Sequence, residues 1–364
     1  MRTGNVYFLR AGIETQSLLR EMLFARSSMK VLMFSSDPGA QERMRKYGEI
    51  LDKLEIVFFD RSRGRFSRFF KGYFEAKRIL AGERYDLITA QEIEHSFLAW
   101  LLSRKFGVPW QMQIHTDIFS SHYVEHSMFN RIRVWLAKFL IPRANCVRVA
   151  SERIKKSIQR PDAIVLPIFE AIKDMGGANI KEKYPGYDFY ILMVGRLSRE
   201  KNFSLALSAM REIIKKYPQT LLVIAGEGPE RKKIEKEILY GLEANVRLEG
   251  WQENLSGYYQ TSDCLLLTSD YEGYGMAAVE ALSYGLPVVM TDVGVAGEIV
   301  KNGENGIVVP VGDRTKLAEA ILRLRGEKEL KTKLAEGAKR TNFPYKSFEE
   351  YREKLIAPFR ACQK

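Results

Sequence analysis

Tyr271-Glu-Gly-Tyr-Gly-Met-Ala-Ala-Val-Glu-Ala-Leu-Ser-Tyr-Gly-Leu-Pro287 follows directly on the apolar run Cys264-Leu-Leu-Leu-Thr268. The apolar run reads as a buried strand, and the stretch from Gly275 as a helix that Gly285 and Pro287 stop. Glu272 is therefore expected in a loop at the carboxyl end of a strand, where open α/β sheets bind ligands. Glu280 falls inside the helix among Ala277, Ala278, Val279, Ala281 and Leu282. A glutamate in such surroundings is expected to be partly buried and to have a partner, unlike an ordinary surface-helix glutamate. Gly273 and Gly275 leave the intervening backbone bare, and amides at a helix start suit a phosphate. Two carboxylates beside a phosphate site need other ligands, and sugar or ribose hydroxyls fit, since carboxylates accept their hydrogen bonds strongly.

Working outward, strand-like and helical patterns alternate along the chain, which implies parallel α/β sheets. Strands are expected at Asn5–Leu9, Lys30–Ser35, Glu55–Phe59, Tyr85–Ala90, Trp110–Ile114, Cys146–Ala150 and Ala163–Leu166. Helices are expected near Glu14–Arg26, Phe66–Ala81, His95–Phe106 and Asn130–Leu140. A loose segment, Glu170–Gly186, holds Gly176-Gly177 and Pro185 and marks a linker. A second α/β run begins at Phe189–Val194, with helices over Ser204–Lys216, Glu230–Tyr240, Gly275–Tyr284 and Lys316–Arg325. The closing stretch Ser347–Ala357 is charged and amphipathic.

The chain has 364 residues, 46% of them apolar, enough for two domains with real cores. No apolar run is long enough to span a bilayer, and no signal-peptide core opens the sequence. Cys146, Cys264 and Cys362 lie far apart and suggest neither a metal site nor a disulfide, so a reducing cytoplasm is expected. Residues 1–170 carry 28 Lys+Arg against 18 Asp+Glu, leaving 29 of the 57 Lys+Arg and 27 of the 45 Asp+Glu to residues 171–364. The basicity thus belongs to the first half, where nucleic acid or an anionic membrane is the usual explanation.

The Glu272–Glu280 stretch resembles the Glu-x7-Glu signature of the retaining family 4 (group 1) glycosyltransferases of GT-B fold. The similarity continues in Val194-Gly-Arg-Leu197, Glu200-Lys-Asn202, Val223-Ile-Ala-Gly-Glu-Gly-Pro229 and Val246-Arg-Leu-Glu-Gly250. Downstream it runs through Pro287-Val-Val-Met-Thr-Asp-Val-Gly294, Glu298 and Asn302-Gly-Glu-Asn-Gly-Ile-Val-Val-Pro310. Each piece alone is weak, whereas the combination is specific. The resemblance implies two facing Rossmann-like domains with a cleft between them. Residues 1–170 would be the acceptor side and 171–346 the nucleotide-sugar donor side, with a terminal helix about 347–364 packing back on the first. It further implies a hexosyltransferase that uses a nucleotide sugar such as a UDP- or GDP-hexose, retains configuration, and needs neither cofactor nor metal.

On that resemblance Arg196 and Lys201 grip the donor diphosphate and stabilise charge on the departing phosphate. Glu272 holds the transferred sugar and Glu280 the ribose. Gly273, Tyr274 and Gly275 meet phosphate or sugar, and Glu227 and Arg247 flank the base. His115, in Ile114-His-Thr-Asp117, matches a histidine placed opposite the donor sugar. Gly12, in Leu9-Arg-Ala-Gly-Ile-Glu14, matches half of a Gly-Gly pair whose other position is Ala11 here. His122 and His126 are spaced i, i+4 but lack the glutamate arrangement of a zinc site.

Arg61–Phe74 packs five cations and five aromatics into fourteen residues. An anionic membrane surface fits that composition. So does a solvated helix with Phe69, Phe70 and Tyr73 facing the core. Single-stranded nucleic acid fits less well, because no binding module accompanies it, and none is expected as a partner. The function expected is sugar transfer to a glycolipid or cell-surface glycan at the cytoplasmic membrane face. A GT-B epimerase or phosphorylase, or a basic binding protein with a degenerate catalytic half, are the alternatives.

Overall fold

The computed structural model describes residues 27–36, 51–60, 64–169, 176–345 and 347–363. The Asn5–Leu9 strand, the Glu14–Arg26 helix and Gly12 lie outside the described residues. Among the described residues there are two six-stranded parallel sheets. The first runs in the order β2-β1-β3-β4-β5-β6, the strands being Ser27–Ser35 (β1), Leu51–Phe58 (β2), Leu87–Ala90 (β3), Trp110–Ile114 (β4), Cys146–Val149 (β5) and Ile164–Val165 (β6). The second runs β12-β11-β10-β7-β8-β9. Its strands are Phe189–Val194 (β7), Thr220–Ala225 (β8), Val246–Gly250 (β9), Cys264–Leu267 (β10), Val288–Thr291 (β11) and Gly306–Val309 (β12).

Near-continuous apolar strands such as Phe189-Tyr-Ile-Leu-Met-Val194 follow from sheets covered on both faces. The helices that cover them include Arg65–Gly82 (α1), Ile93–Phe106 (α2), Ser121–His126 (α3), Met128–Leu140 (α4), Glu152–Ser157 (α5) and Ile180–Lys183 (α6). Then come Phe203–Lys216 (α7), Arg231–Ile238 (α8), Ser256–Thr261 (α9), Met276–Ser283 (α10), Arg314–Gly326 (α11), Lys328–Lys339 (α12) and Phe348–Ala361 (α13). The segment expected to be loose contains α6, which Asn179 caps.

The chain divides into two compact units: Met1–Gln113, Leu136–Arg148 and Glu349–Lys364 in one, Ile114–Trp135 and Val149–Phe348 in the other. In the first unit α13 packs against a buried polar row that crosses β3, β4 and β5. Thr89 donates to Gln111 (2.9 Å) and Gln113 donates to Thr89 (2.7 Å). Gln111 donates to the Pro358 carbonyl (3.1 Å), while Arg148 reaches Gln113 (3.3 Å) and Tyr351 (3.2 Å). Phe359 fills an apolar pocket with Met29, Val31, Leu51 and Leu87. In the second unit the core lies between β7, β8, β10 and helices α7 and α11, from Phe189, Ile191 and Leu222 to Leu207, Met210, Ile321 and Leu324.

The cysteine expectation is overturned. Cys146 and Cys362 form a disulfide with Cα atoms 5.0 Å apart, and the buried Cys264 is the free one. The two are 216 positions apart in sequence, so only the docking of α13 on β5 brings them together. The pairing removes the cysteine argument for a reducing compartment.

Phe359 is 2% exposed, so Phe359→Ala should cost about 3–5 kcal/mol. Chemical denaturation of the first unit, followed by tryptophan fluorescence, would detect the loss as a lower midpoint.

Candidate functional site

The order β12-β11-β10-β7-β8-β9 reverses direction between β10 and β7, two neighbouring parallel strands. A crevice at the carboxyl ends of such a pair is where doubly wound sheets bind ligands. Two loops converge there. After β7, Gly195 and Arg196 lead into a 3-10 turn, Arg199–Lys201, and Asn202 (φ +47°) caps α7 through its side chain. After β10, Thr268 and Ser269 are buried and precede Glu272.

The loops are stitched together by polar contacts. Thr268 donates to the Lys201 and Asn202 carbonyls (2.9 and 3.1 Å), and Asn202 donates to Asp270 (2.7 Å). The outcome is an ion pair between Lys201 and Glu272, whose side chains are 25% and 11% exposed. Ser269 donates a second hydrogen bond to Glu272 at 2.8 Å. Arg196 is exposed and makes no ion pair among the described residues.

Bare backbone sets this geometry. A Cβ on Gly273 would lie 1.5 Å from the His115 carbonyl oxygen, and one on Gly226 would lie 1.9 Å from that of Gly195. His115 is half-buried just past β4, so its backbone, rather than its ring, is what the Gly273 loop is fitted against. Tyr274 is buried and accepts from the Val295 amide (2.9 Å), while Gly275 (φ +90°) starts α10.

Glu280 is half-buried, and its expected partner is the Tyr259 hydroxyl at 2.6 Å. Tyr259 stacks on Tyr284 with ring centroids 5.4 Å apart and 9° between planes. Neither Tyr259 nor Ser269 was legible beforehand. Tyr259 lies on the six-residue α9, too short for periodicity to single out a face, and Ser269 is a small residue at a strand end.

Glu227 and Arg247 are not brought together. Glu227 pairs with Arg231 and lies beside Gly250. Arg247 donates to the Glu243 and Val246 carbonyls (2.8 and 2.9 Å) and sits over the Tyr184 ring at 5.6 Å. Two residues along β9, Glu249 accepts from Lys183, Tyr184 and Tyr258, an unforeseen cluster with the carboxylate side chain 3% exposed. Burial opposes ionisation of Glu249, but those hydrogen bonds overcome it and hold its carboxyl below the usual range. Tyr271 contacts the rings of Tyr123 and His126, and burial, with help from Glu200 and Tyr123, pushes its phenol up to about 12. An adjoining cavity of about 500 Å³ is lined by Met276 and Val279 together with Phe169, Phe343 and Phe348, and Tyr274 is the one sequence-predicted site residue that reaches it.

Comparison with known proteins matches this layout. Residues 178–341 fit the family of glycosyl transferases group 1, and residues 14–163 fit a glycosyl transferase 4-like domain. The chain belongs to the group 1 glycosyltransferases of GT-B type. This glycosyltransferase is 28% identical over 264 residues to an alpha-D-kanosaminyltransferase of Streptomyces kanamyceticus, covering 67% of this chain and 68% of the relative. It is 25% identical over 277 residues to the UDP-Gal:alpha-D-GlcNAc-diphosphoundecaprenol alpha-1,3-galactosyltransferase of Escherichia coli, covering 70% of each chain. Among solved structures, sucrose-phosphate synthase from Thermosynechococcus elongatus superposes with a TM-score of 0.76 at 22% identity, over 91% of this chain and 98% of that one. That likeness is one of fold.

Two outcomes test the geometry. Gly273→Ala must push the His115 backbone aside, and overpacking of this kind costs about 1–3 kcal/mol; the thermal midpoint should fall by several degrees. The depressed Glu249 carboxyl contributes stability that is present above its ordinary value of 4.5 and is lost as the pH falls below it. Thermal midpoints measured between neutral and acid pH should show that loss in the wild type and a flatter profile in Glu249→Gln.

Proposed function

We propose that this glycosyltransferase is a retaining, metal-independent hexosyltransferase using a nucleotide sugar, with a glycolipid or cell-surface glycan as acceptor at the cytoplasmic membrane face. In this reading residues 171–346 hold the donor and residues 1–170 the acceptor. The observation that carries it is the meeting of Lys201 and Glu272 at the switch point between β7 and β10, with Arg196 exposed on the same loop as Lys201.

The chemistry follows from those groups. The bond between the anomeric carbon and the diphosphate oxygen breaks, and negative charge develops on the leaving phosphate. Arg196 and Lys201 stabilise that charge, more strongly in the transition state than in the ground state. Glu272 holds the sugar hydroxyls, and Glu280, held by Tyr259, takes the ribose. The leaving phosphate accepts the acceptor hydroxyl's proton on the same face of the sugar, so the new bond keeps the old configuration. Two cationic side chains do the neutralising that a divalent ion would otherwise supply. Support for a lipid-linked acceptor comes from the relative whose name pairs UDP-Gal with a diphosphoundecaprenol acceptor.

The test is a thermal-shift panel of nucleoside diphosphates and nucleotide sugars, run with EDTA. A ligand at a hundred times its Kd stabilises by about 2.7 kcal/mol, and one nucleotide class should shift the wild type. Glu280→Ala and Arg196→Ala should lose that shift, and Arg196→Ala should lose ~10²–10³ in turnover. Proton NMR of the product should show the donor's anomeric configuration. An inverted product sinks the retaining mechanism, and donor consumed without an acceptor alcohol favours the epimerase or phosphorylase.

A further inference from the structure

Helix α4, Met128–Leu140, has two apolar faces. Asn130, Val134, Ala137 and Leu140 are buried along one of them. On the other, Met128, Phe129, Ile132 and Trp135 are 72%, 58%, 56% and 70% exposed. Steps of four and three residues align Met128, Ile132 and Trp135 along a single stripe, with Phe129 on its flank. The helix carries Arg131, Arg133 and Lys138 and no acidic residue. Exposed Arg131 and Lys138 fall, by helical position, along one edge of the stripe. Just beyond, Arg143 lies over the Phe139 ring at 3.8 Å.

A helix on a water-facing surface turns its polar side outward, and single exposed apolar residues need no explanation. Four large ones on a thirteen-residue helix do, because contiguous patches of this kind mark interaction surfaces. We infer that α4 lies in the headgroup layer of an anionic membrane, its Met128–Ile132–Trp135 stripe facing the acyl chains. The indole and phenyl rings suit that depth, and the cationic edge reaches up to lipid phosphates. A second copy of the chain fits less well. In a two-fold contact the same patch meets itself, and Arg131 and Lys138 would face like charges.

The sequence pointed instead to Arg61–Phe74. There α1 turns Phe69 inward against Phe59 and His95 and leaves Phe70 and Phe74 exposed, at 64% and 58%. The inference rests on the membrane-face acceptor of the preceding reading, and it assigns the contact to a different helix.

Sedimentation of the full chain with vesicles of equal parts phosphatidylglycerol and phosphatidylcholine tests it. The wild type should bind these and not pure phosphatidylcholine. The double substitution Ile132→Ser with Trp135→Ser should lower the bound fraction at least ~10-fold. Arg131→Ala and Lys138→Ala should each weaken binding by about fivefold. Phe70→Ser with Phe74→Ser should leave most of it. Every variant should keep the nucleotide-induced thermal shift, which doubles as the folding control. Unchanged binding in the Ile132/Trp135 variant overturns the inference, as does loss only in the Phe70/Phe74 variant. It is equally overturned by a wild-type dimer in sedimentation velocity that the Ile132/Trp135 change disperses. A wild type that binds vesicles but shifts with no nucleotide would sink the nucleotide-sugar donor of the preceding reading and leave its membrane-face placement, and this inference, standing.

Discussion

Backbone-to-backbone contact at a few glycines is the constraint on which the rest of the second unit depends. Gly226 lies against Gly195, Gly228 against Leu197, Gly273 against His115 and Gly294 against Tyr274, each so closely that a Cβ would sit 1.5–2.5 Å from a carbonyl oxygen. Side chains between these loops would hold them several ångströms further apart. With none there, the loop after β8 closes on the loop after β7 and the loop after β11 on the loop after β10, which leaves Lys201 and Glu272 to meet between them. A salt bridge in a half-buried place gains little unless its partners are held beforehand. Thr268, Asn202 and Asp270 do that holding by fixing both backbones, and Ser269 fixes the carboxylate.

The pairing bears on how an anionic ligand would be received. A free lysine and a free glutamate at one strand end would offer a ligand one favourable and one repulsive contact. Coupled, they are close to neutral, and the exposed Arg196 on the same loop as Lys201 adds a further positive charge. A diphosphate would share Lys201 with Glu272, while Glu272 keeps the Ser269 bond and has acceptor capacity left for hydroxyls. Glu280 is organised differently: within α10 it accepts a hydrogen bond from the Tyr259 hydroxyl. Two carboxylates of identical chemistry thus sit in unlike settings, one tied to a cation and one to a hydroxyl.

Much of this was legible because the decisive signals were local. Strand composition followed by Gly-rich turns fixed β7 and β10, and the apolar helix around Glu280 announced that this glutamate needed a partner. What escaped depended on contacts distant in sequence. The partner's identity, Tyr259, lies 21 positions away on a six-residue helix. Cys146 and Cys362 meet only because the last helix returns to β5. Arg247 and Glu249 alternate along β9 with the period of a strand, and nothing in that period says that Tyr184, Tyr258 and Lys183 wait on their side. Exposure was not legible either. The run Arg61–Phe74 stood out because its charges are dense, whereas the stretch Asn130–Leu140 read simply as a helix. Hydrophobicity on both faces of one helix reads as burial until the structure shows one face uncovered.

The last helix illustrates why a buried polar seat can specify a fold better than an apolar one. Thr89, Gln111, Gln113 and Arg148 point to one side of their sheet, where an ordinary α/β domain would place Val, Ile or Leu. Each hydrogen bond there contributes only about 0.5–1.5 kcal/mol net, but each buried group left without a partner costs about 1–3 kcal/mol. An apolar helix could slide across an apolar sheet and lose little at each step. α13 cannot, because a slip of one turn would take the Pro358 carbonyl from Gln111 and the Tyr351 hydroxyl from Arg148 together. That proline matters in its own right: inside a helix it frees a carbonyl one turn back and perturbs the ladder around it, and here its own carbonyl is turned to a sheet glutamine. The polar row therefore sets the register of α13, and the Phe359 pocket and the Cys146–Cys362 bond hold a position that hydrogen bonding has already selected.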